Sequence, residues 1–400
     1  MAHPQGSRNG SALCYNGGME VGLYIHVPFC VRKCHYCDFY SLPMADGRGL
    51  EEAFVDAVCR EMEIAARAHA SLGPLDAPTI FLGGGTPSLL SPAQLGRILE
   101  TARACFRVAP QAEITLESNP GTLDREKARA FRELGVNRVS LGVQSFNDAE
   151  LRALGRIHTA AEAEAAVSLL RATGFDSLSL DLMFGLPGQT LASWHDTLRR
   201  AVALQPEHLS AYSLIVEPDT PFATWQREGR LSLPTEETDV AMFEAGIAVL
   251  TAAGYEHYEV SNFARPGQRS RHNQIYWRNE PYLGFGPSAV SYLGGVRAAN
   301  VRSLSRYLEA VARGERPVET AERIEGALEM GETMMVGLRL LEGMEHARFR
   351  ERFGVPPEAV YGEQIRRLVA AGLLRADDAR LSLTHQGLLF ANDVMAEFLP

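Results

Sequence analysis

The sequence predicts an α/β protein: a partial, TIM-like (β/α)6 barrel followed by a C-terminal winged-helix-like α+β domain. Three observations predict it. Short β-branched or apolar runs alternate with amphipathic stretches over the first 235 residues, the pattern of right-handed βαβ units and a parallel sheet. Nearly every run ends in glycine or polar residues, the end at which parallel α/β folds carry their chemistry. The chain has 400 residues, more than one average domain of roughly 100–150 residues.

The units follow in order. VGLYIHVPF (21–29) precedes a helical stretch at 50–70, TIFLGGG (79–85) one at 92–105, and EITLESN (113–119) one at 124–134. RVSLGVQS (138–145) precedes 160–173, SLSLDLMFGLP (177–187) precedes 190–203, and HLSAYSLIVE (208–217) is the sixth run. Six units suggest an incomplete barrel. A helix is expected over 236–253, a strand over 257–264, and a loop rich in Arg, Asn and aromatics over 269–295. From about 318 the pattern turns helical. The end reads as a helix, two short strands around Asp377–Asp378 and another helix, which is a winged-helix pattern. Acidic residues near the wing tip favour a packing module over a DNA reader. The expected organisation is a disordered polar extension (1–20), the barrel (21–235), a barrel extension (236–315) and the winged-helix-like end (316–400).

Composition excludes several classes. Hydrophobic residues at 46% and charged residues at 22% are the balance of a globular protein with a large core, not of a disordered chain. The net charge, 39 − 49 = −10, with no basic run, argues against nucleic-acid binding and anionic membranes. No apolar run approaches about 18 residues, so no membrane insertion is expected. The start, MAHPQGSRNGSALCYNGG, lacks the charged-then-apolar order of a signal peptide. A cytoplasmic location is expected.

Six cysteines are present, at 14, 30, 34, 37, 59 and 105. Cys30-x3-Cys34-x2-Cys37 follows directly on the first strand. Such a loop suits a soft metal centre. Structural zinc normally takes four protein ligands, and no fourth cysteine is near. Three thiolates on a [4Fe–4S] cluster leave one iron open to a small chelating ligand. Cys59 and Cys105, on helix-like stretches, read as small core residues. The next strand ends in Gly83-Gly84-Gly85-Thr86-Pro87, where glycine lets the backbone approach a ligand. Glu117, Gln144, Arg156 and Asp181 stand at or near the ends of the third to fifth strands. The carboxylates suit hydroxyl or ammonium groups, and the guanidinium suits a carboxylate. Tyr24 and Tyr36 flank the cysteine loop.

These motifs, in this order, resemble the radical S-adenosylmethionine (SAM) superfamily. The resemblance implies a [4Fe–4S] cluster on Cys30, Cys34 and Cys37, with the open iron taking the amino and carboxylate groups of SAM. It further implies that Gly84, Gly85, Thr86, Glu117, Gln144, Arg156 and Asp181 hold SAM, with Tyr24 and Tyr36 at its border. From about residue 20 onward the chain resembles the coproporphyrinogen III dehydrogenase-like branch. The true dehydrogenases of that branch carry a further cysteine two positions after the third cluster cysteine. Here Phe39 stands there, in Cys37-Asp38-Phe39, as in the HemW-type haem chaperones. His272-Asn273-Gln274-Ile275-Tyr276-Trp277 matches the HNxxYW motif implicated in haem binding in that subgroup. His272 is then the expected haem ligand, Tyr276 and Trp277 porphyrin contacts, and Arg269, Arg271 and Arg278 propionate partners. Val290 stands where relatives often have a histidine, and His26 is expected to be a hydrogen-bonded core residue.

The resemblance therefore implies a haem chaperone that binds the cluster, SAM and haem and delivers haem to apo-haemoproteins. The alternative is a radical SAM oxidoreductase, coproporphyrinogen III dehydrogenase-like, or a methyltransferase. A DNA-binding regulator is the weakest reading. The partners implied are haem, apo-haemoprotein acceptors, an electron donor for the cluster and a second copy of the chain in a homodimer.

Overall fold

The computed structural model describes residues 14–15, 18–47 and 49–400. Six parallel strands form the frame: β1 (Gly18–Val27), β2 (Leu75–Gly84), β3 (Arg107–Ser118), β4 (Arg138–Gln144), β5 (Leu178–Phe184) and β6 (His208–Ser213). They lie side by side in chain order, each parallel to the next. Six of the seven β4 residues are buried, as a parallel sheet covered on both faces requires. The expected α/β partial barrel is present.

Local chemistry starts the intervening helices where the pattern places them. Ser91 and Gln94 cap Pro92–Cys105 reciprocally, and Thr159 with Glu162 does the same for Ala160–Ala172. Each pair satisfies two orphan amides of the first turn. Trp194 on helix Leu191–Ala203 is fully buried, and its Nε1–H donates to the Met242 carbonyl at 2.8 Å. That bond ties this helix to Glu236–Ala252. Cys59 and Cys105 pack on the same apolar core, as expected.

The structure departs from the expectation at both edges of the barrel. The strand expected at 257–264 is a hairpin, β7 (Glu256–Glu259) and β8 (Asn262–Ala264), with β8 antiparallel on β6. The loop expected at 269–295 contains a helix, Arg271–Trp277, and two strands, β9 (Tyr282–Phe285) and β10 (Val290–Leu293). β9 joins the free edge of β1 in parallel, pairing Tyr282 with Gly22 and Gly284 with Tyr24. β10, β11 (Val296–Asn300) and β12 (Val318–Arg323) continue the sheet antiparallel. A seven-residue helix and four-residue strands are too short to display a period in sequence.

At the C-terminal end, Pro357–Ala370, the strands Leu374–Ala376 and Arg380–Leu383, and His385–Leu389 follow one another in the expected winged-helix-like order. A third strand, Met344–Glu345, pairs with Arg380–Leu383. The Asp377 carboxylate accepts the backbone N–H groups of Ala379 and Arg380, both at 2.8 Å. The acidic wing tip is thus a turn-closing device. This region has its own core, including Leu338, Phe349, Ile365, Leu381 and Phe398. Arg297 on β11 grips Glu332 of helix Ala327–Gly337 with both ends of its guanidinium fork, the first contact at 2.9 Å. Of the extension expected at 1–20, residues 1–13 and 16–17 lie outside the described residues. Cys14–Tyr15 pairs antiparallel with Gly18–Met19, so β1 starts at Gly18. No helix among the described residues is long and apolar enough to cross a membrane.

Candidate cluster and cofactor site

A cavity of about 410 Å³ opens at the carboxyl ends of the parallel strands, within the range of small-molecule sites, roughly 300–1,000 Å³. The loop after β1 brings Cys30, Cys34 and Cys37 to its wall as free thiols. Phe29 anchors the start of that loop, fully buried and edge-on to Phe54. The backbone N–H of His35 donates to the Leu154 carbonyl at 3.0 Å, and its Nδ1 pairs with the Ala153 carbonyl at 3.0 Å. The middle of the loop is thereby tethered, and His35 is turned away from the thiols.

The donor set fits an iron–sulfur cluster. Structural zinc takes four protein ligands, and the cavity wall brings three cysteines together, whereas a [4Fe–4S] cube takes each thiolate on a different iron. Thr86 Oγ1–H donates to Sγ of Cys30 at 3.5 Å, and Arg156 Nη1–H donates to Sγ of Cys34 at 3.6 Å. Burial pushes the Cys37 thiol up to about 11 and the Cys30 thiol upward. A bound metal cation reverses this, because a coordinating thiol is deprotonated.

The glycine turn after β2 has a steric cause. Gly84 sits at φ +102°, in the left-handed region. A Cβ on Gly85 would lie 2.6 Å from the Phe29 carbonyl oxygen and 2.8 Å from that of Val27. The Gly85 and Thr86 N–H groups donate to these same carbonyls, at 2.8 Å and 2.7 Å. The turn is therefore packed onto the root of the cysteine loop, and the Gly84 N–H is left to donate to Glu117 Oε2 at 3.0 Å.

Glu117 and Asp181 face the same cavity. Burial, then the Asp181 carboxylate, raises Glu117 to about 8. Burial also raises Asp181, whose carboxylate accepts Ser140 Oγ–H at 3.1 Å. Gln144 closes β4 with φ at 66°, a conformation that costs a non-glycine residue about 1 kcal/mol or more. Arg156 donates to the Gly142 carbonyl at 2.5 Å and to Asn119 Oδ1. Tyr36 completes the wall. The structure thus gathers the three cysteines, Tyr36, Gly84, Gly85, Thr86, Glu117, Gln144, Arg156 and Asp181 around one cavity.

Sequence reasoning missed Asn119, His158 and Tyr212, which also line it. Asn119 Nδ2–H donates to Thr86 Oγ1 at 2.8 Å, linking two strand ends. His158 Nε2 pairs with the Val143 carbonyl at 3.1 Å, and burial lowers this histidine to about 4. Asn119 ends the third run, EITLESN, His158 stands two residues after Arg156, and Tyr212 lies within the sixth run, so position at a strand end was the signal that could have found them.

Two expected residues are elsewhere. Tyr24 lines a second cavity of about 330 Å³, with Phe39, Tyr40, Tyr276, Tyr282 and Arg302. Val290 is on its wall, and Phe39 lines both cavities. The Tyr24 hydroxyl pairs with His26 Nδ1 at 3.0 Å, and His26 Nε2 with the Tyr40 carbonyl at 2.8 Å. His26 is the bonded core histidine expected. His272 reaches neither cavity. It is 1% exposed, its Nδ1 lies 2.7 Å from Thr79 Oγ1, and its Nε2 lies 2.9 Å from the Tyr276 hydroxyl. Burial lowers it to about 3. Both ring nitrogens of His272 are thus engaged within the protein, and the side chain is closed off from either cavity.

The arginines expected at propionates have protein partners in this structure. Arg269 pairs with Glu256 and Glu342, Arg271 with the Gln111 carbonyl, and Arg278 with Gln274. None lines either cavity; Arg302 does. Trp277 packs against Arg339 at 4.3 Å instead of a cavity wall.

The fold and this site define a radical SAM protein. The radical SAM superfamily profile matches residues 24–201, and the HemN C-terminal domain profile matches 329–390. The chain is 38% identical to heme chaperone HemW of Bacillus subtilis, over 94% of this chain and 98% of that one. It is 37% identical to heme chaperone HemW of Escherichia coli, over 95% and 98%. Among solved structures it resembles the coproporphyrinogen III oxidase HemN of Escherichia coli, a radical SAM enzyme, with TM-score 0.82 and 25% identity over 97% and 91%. The chain belongs to the HemW family. Membership in the radical SAM superfamily implies a [4Fe–4S] cluster and SAM.

Proposed function

We propose that this chain is a cytoplasmic haem chaperone that binds a [4Fe–4S] cluster, SAM and haem and hands haem to apo-haemoproteins. The observation that carries the reading is the end-to-end likeness to relatives named heme chaperone HemW. Phe39, standing where coproporphyrinogen-oxidising relatives place a further cysteine, agrees with it.

Cys30, Cys34 and Cys37 would hold three corners of the cluster. When bound there and reduced, such a cluster would supply one electron for SAM cleavage. Arg156, which fixes Cys34 and Asn119, would neutralise the SAM carboxylate. Glu117 and Asp181 offer acceptors for the ribose hydroxyls or the ammonium group. Gly84 and Gly85 bring backbone close, and Thr86 steadies the Cys30 sulfur. Tyr36 screens the cluster side from water, whereas Tyr24 serves the second cavity. That cavity, aromatic and flanked by Arg302, is the tetrapyrrole side of the protein in this reading. An electron donor and apo-haemoproteins are the macromolecular partners, and a homodimer is part of the proposal.

The test is anaerobic reconstitution with iron and sulfide, then titration with haemin. A stoichiometric Soret change supports the reading, and its absence defeats it. The fold likeness to HemN keeps an oxidoreductase as the second reading. Decarboxylation of coproporphyrinogen III with SAM and dithionite would favour that instead.

A further inference from the structure

Beneath the cofactor cavity the barrel holds a buried guanidinium. Successive residues of a strand alternate faces, so Arg138, Ser140 and Gly142 of β4 share one. Ser140 and Gly142 line the cavity, and Ser140 Oγ–H donates to Asp181 at 3.1 Å. That face is the barrel interior, and Arg138 starts one pleat, about 7 Å, further from the mouth. It is 4% exposed, and its Nε–H has no hydrogen-bond partner among the described residues. Thr115, its register neighbour on β3, is fully buried, and its hydroxyl is also unpartnered among them.

A buried charge is costly unless something answers it, and a guanidinium does not lose its proton in a protein. Two carboxylates answer Arg138. Glu117 pairs in register with Ser140 and Asp181 with Gly142, so both stand on the mouth side of Arg138, and both line the cavity. Burial raises both carboxyls, Asp181 adds to the rise of Glu117, and the charge of Arg138 opposes the rise in each. Arg156, above at the cysteine loop, helps at Asp181 by less. The other titratable groups facing this cluster are neutral. Burial lowers His208 and His272 and raises Tyr24, Tyr212, Tyr258 and Tyr276. Glu113 accepts the backbone N–H groups of Arg271 and His272, and Glu259 is held by Asn262 and Arg339.

We propose that Arg138 is a positioning residue of the SAM site: its fixed charge beneath the cavity keeps the Glu117–Asp181 pair anionic, so that the pair accepts a sulfonium nucleotide. The proposal rests on the SAM-binding reading above and deepens it. SAM carries two cationic centres, the ammonium and the sulfonium, and ribose hydroxyls whose bonds are strongest to an ionised acceptor. A fully protonated pair offers neither the charge nor those acceptors. Arg138 is not on the cavity wall, so it acts through the two carboxylates.

The experiment has two arms on the full chain, each run from about pH 6 to 9. Infrared spectroscopy of the apo chain follows the carbonyl band of protonated carboxyl groups. Equilibrium dialysis after anaerobic reconstitution measures SAM affinity. Arg138→Met and Arg138→Gln both remove the charge, one with an apolar side chain and one with a polar one. Both are expected to hold carboxyl protons to a pH about one unit higher. Both should bind SAM about tenfold more weakly at neutral pH, with the gap closing as pH rises. Arg138→Lys, which keeps a cation, is expected to restore the wild-type profile. A loss of affinity equal at every pH, or no loss, with an unmoved infrared titration overturns the assignment while leaving SAM binding standing. Absence of SAM binding by the wild type overturns both.

Discussion

Arg156 Nη1 donates to Sγ of Cys34 across 3.6 Å, joining the loop after β1 to the segment beyond β4. The same guanidinium holds the Gly142 carbonyl and Asn119. One side chain therefore couples the thiol ligands to the strand ends that line the cofactor cavity. A lysine has one point of charge and cannot hold three partners in a fork. Arg156→Lys is expected to bind SAM at least tenfold more weakly, a loss of about 1.4 kcal/mol or more, with iron content retained. Equilibrium dialysis of the reconstituted protein measures it; unchanged affinity would remove Arg156 from the site.

Gly85 is expected to tolerate no side chain. Its Cβ would meet two backbone carbonyls, at 2.6 and 2.8 Å, and backbone cannot rotate aside. Gly85→Ala should displace the root of the cysteine loop and cost about 1–3 kcal/mol, as overpacking does. The measurement is iron and sulfide content after reconstitution, beside a urea melt. Full cluster loading with an unshifted midpoint would show that the loop does not depend on this contact.

Glu117 makes the apo chain lose stability as pH rises. Its folded value of about 8 exceeds the model-peptide value of 4.5, so the folded state binds the proton more tightly. Stability is full below the unfolded value and falls until pH passes about 8. Buried His272, His158 and His257, lowered to about 3, 4 and 4, act oppositely below 6.5 and add nothing above it. Glu61, raised to about 7, contributes mainly at the lower end of the window. Between pH 6.5 and 8 the loss from Glu117 is about 2 kcal/mol. Glu117→Gln should flatten that part of the curve in urea melts; a wild-type slope in the variant would contradict it.

Arg297 and Glu332 join the sheet extension to the C-terminal region, with Glu332 7% exposed. Arg297→Ala leaves that carboxylate buried without its partner, which costs about 3–5 kcal/mol in a fully buried pair. Arg297 itself is about one-third exposed, so roughly 1–3 kcal/mol is expected. Thermal melting of the variant reads it, and an unshifted transition would mean that Glu332 finds water.

Much of this was legible in sequence. The alternation of apolar runs and capped helices placed all six parallel strands, because each run is long enough to bury both faces. The cysteine spacing and the strand-end polar residues placed eleven residues of one cavity, because parallel topology aligns strand ends whatever their separation along the chain. The burial of His272 was not legible, because a motif names residue types and not exposure; only packing shows that Thr79 and Phe81, on β2, close over it. The second cavity was invisible because its walls come from β1, the cysteine loop, the HNxxYW helix and β9, and four-residue β9 has no pattern to read.

The central claim is that Cys30, Cys34 and Cys37 hold a cube with one vacant iron corner. Mössbauer and EPR spectroscopy of the full chain, reconstituted without oxygen and then given SAM, address it directly. Four irons per chain, a [4Fe–4S] spectrum lost in Cys34→Ala, and a shift of the reduced signal on adding SAM are expected. Stoichiometric zinc on these thiols, or a cluster signal indifferent to SAM, would contradict the account.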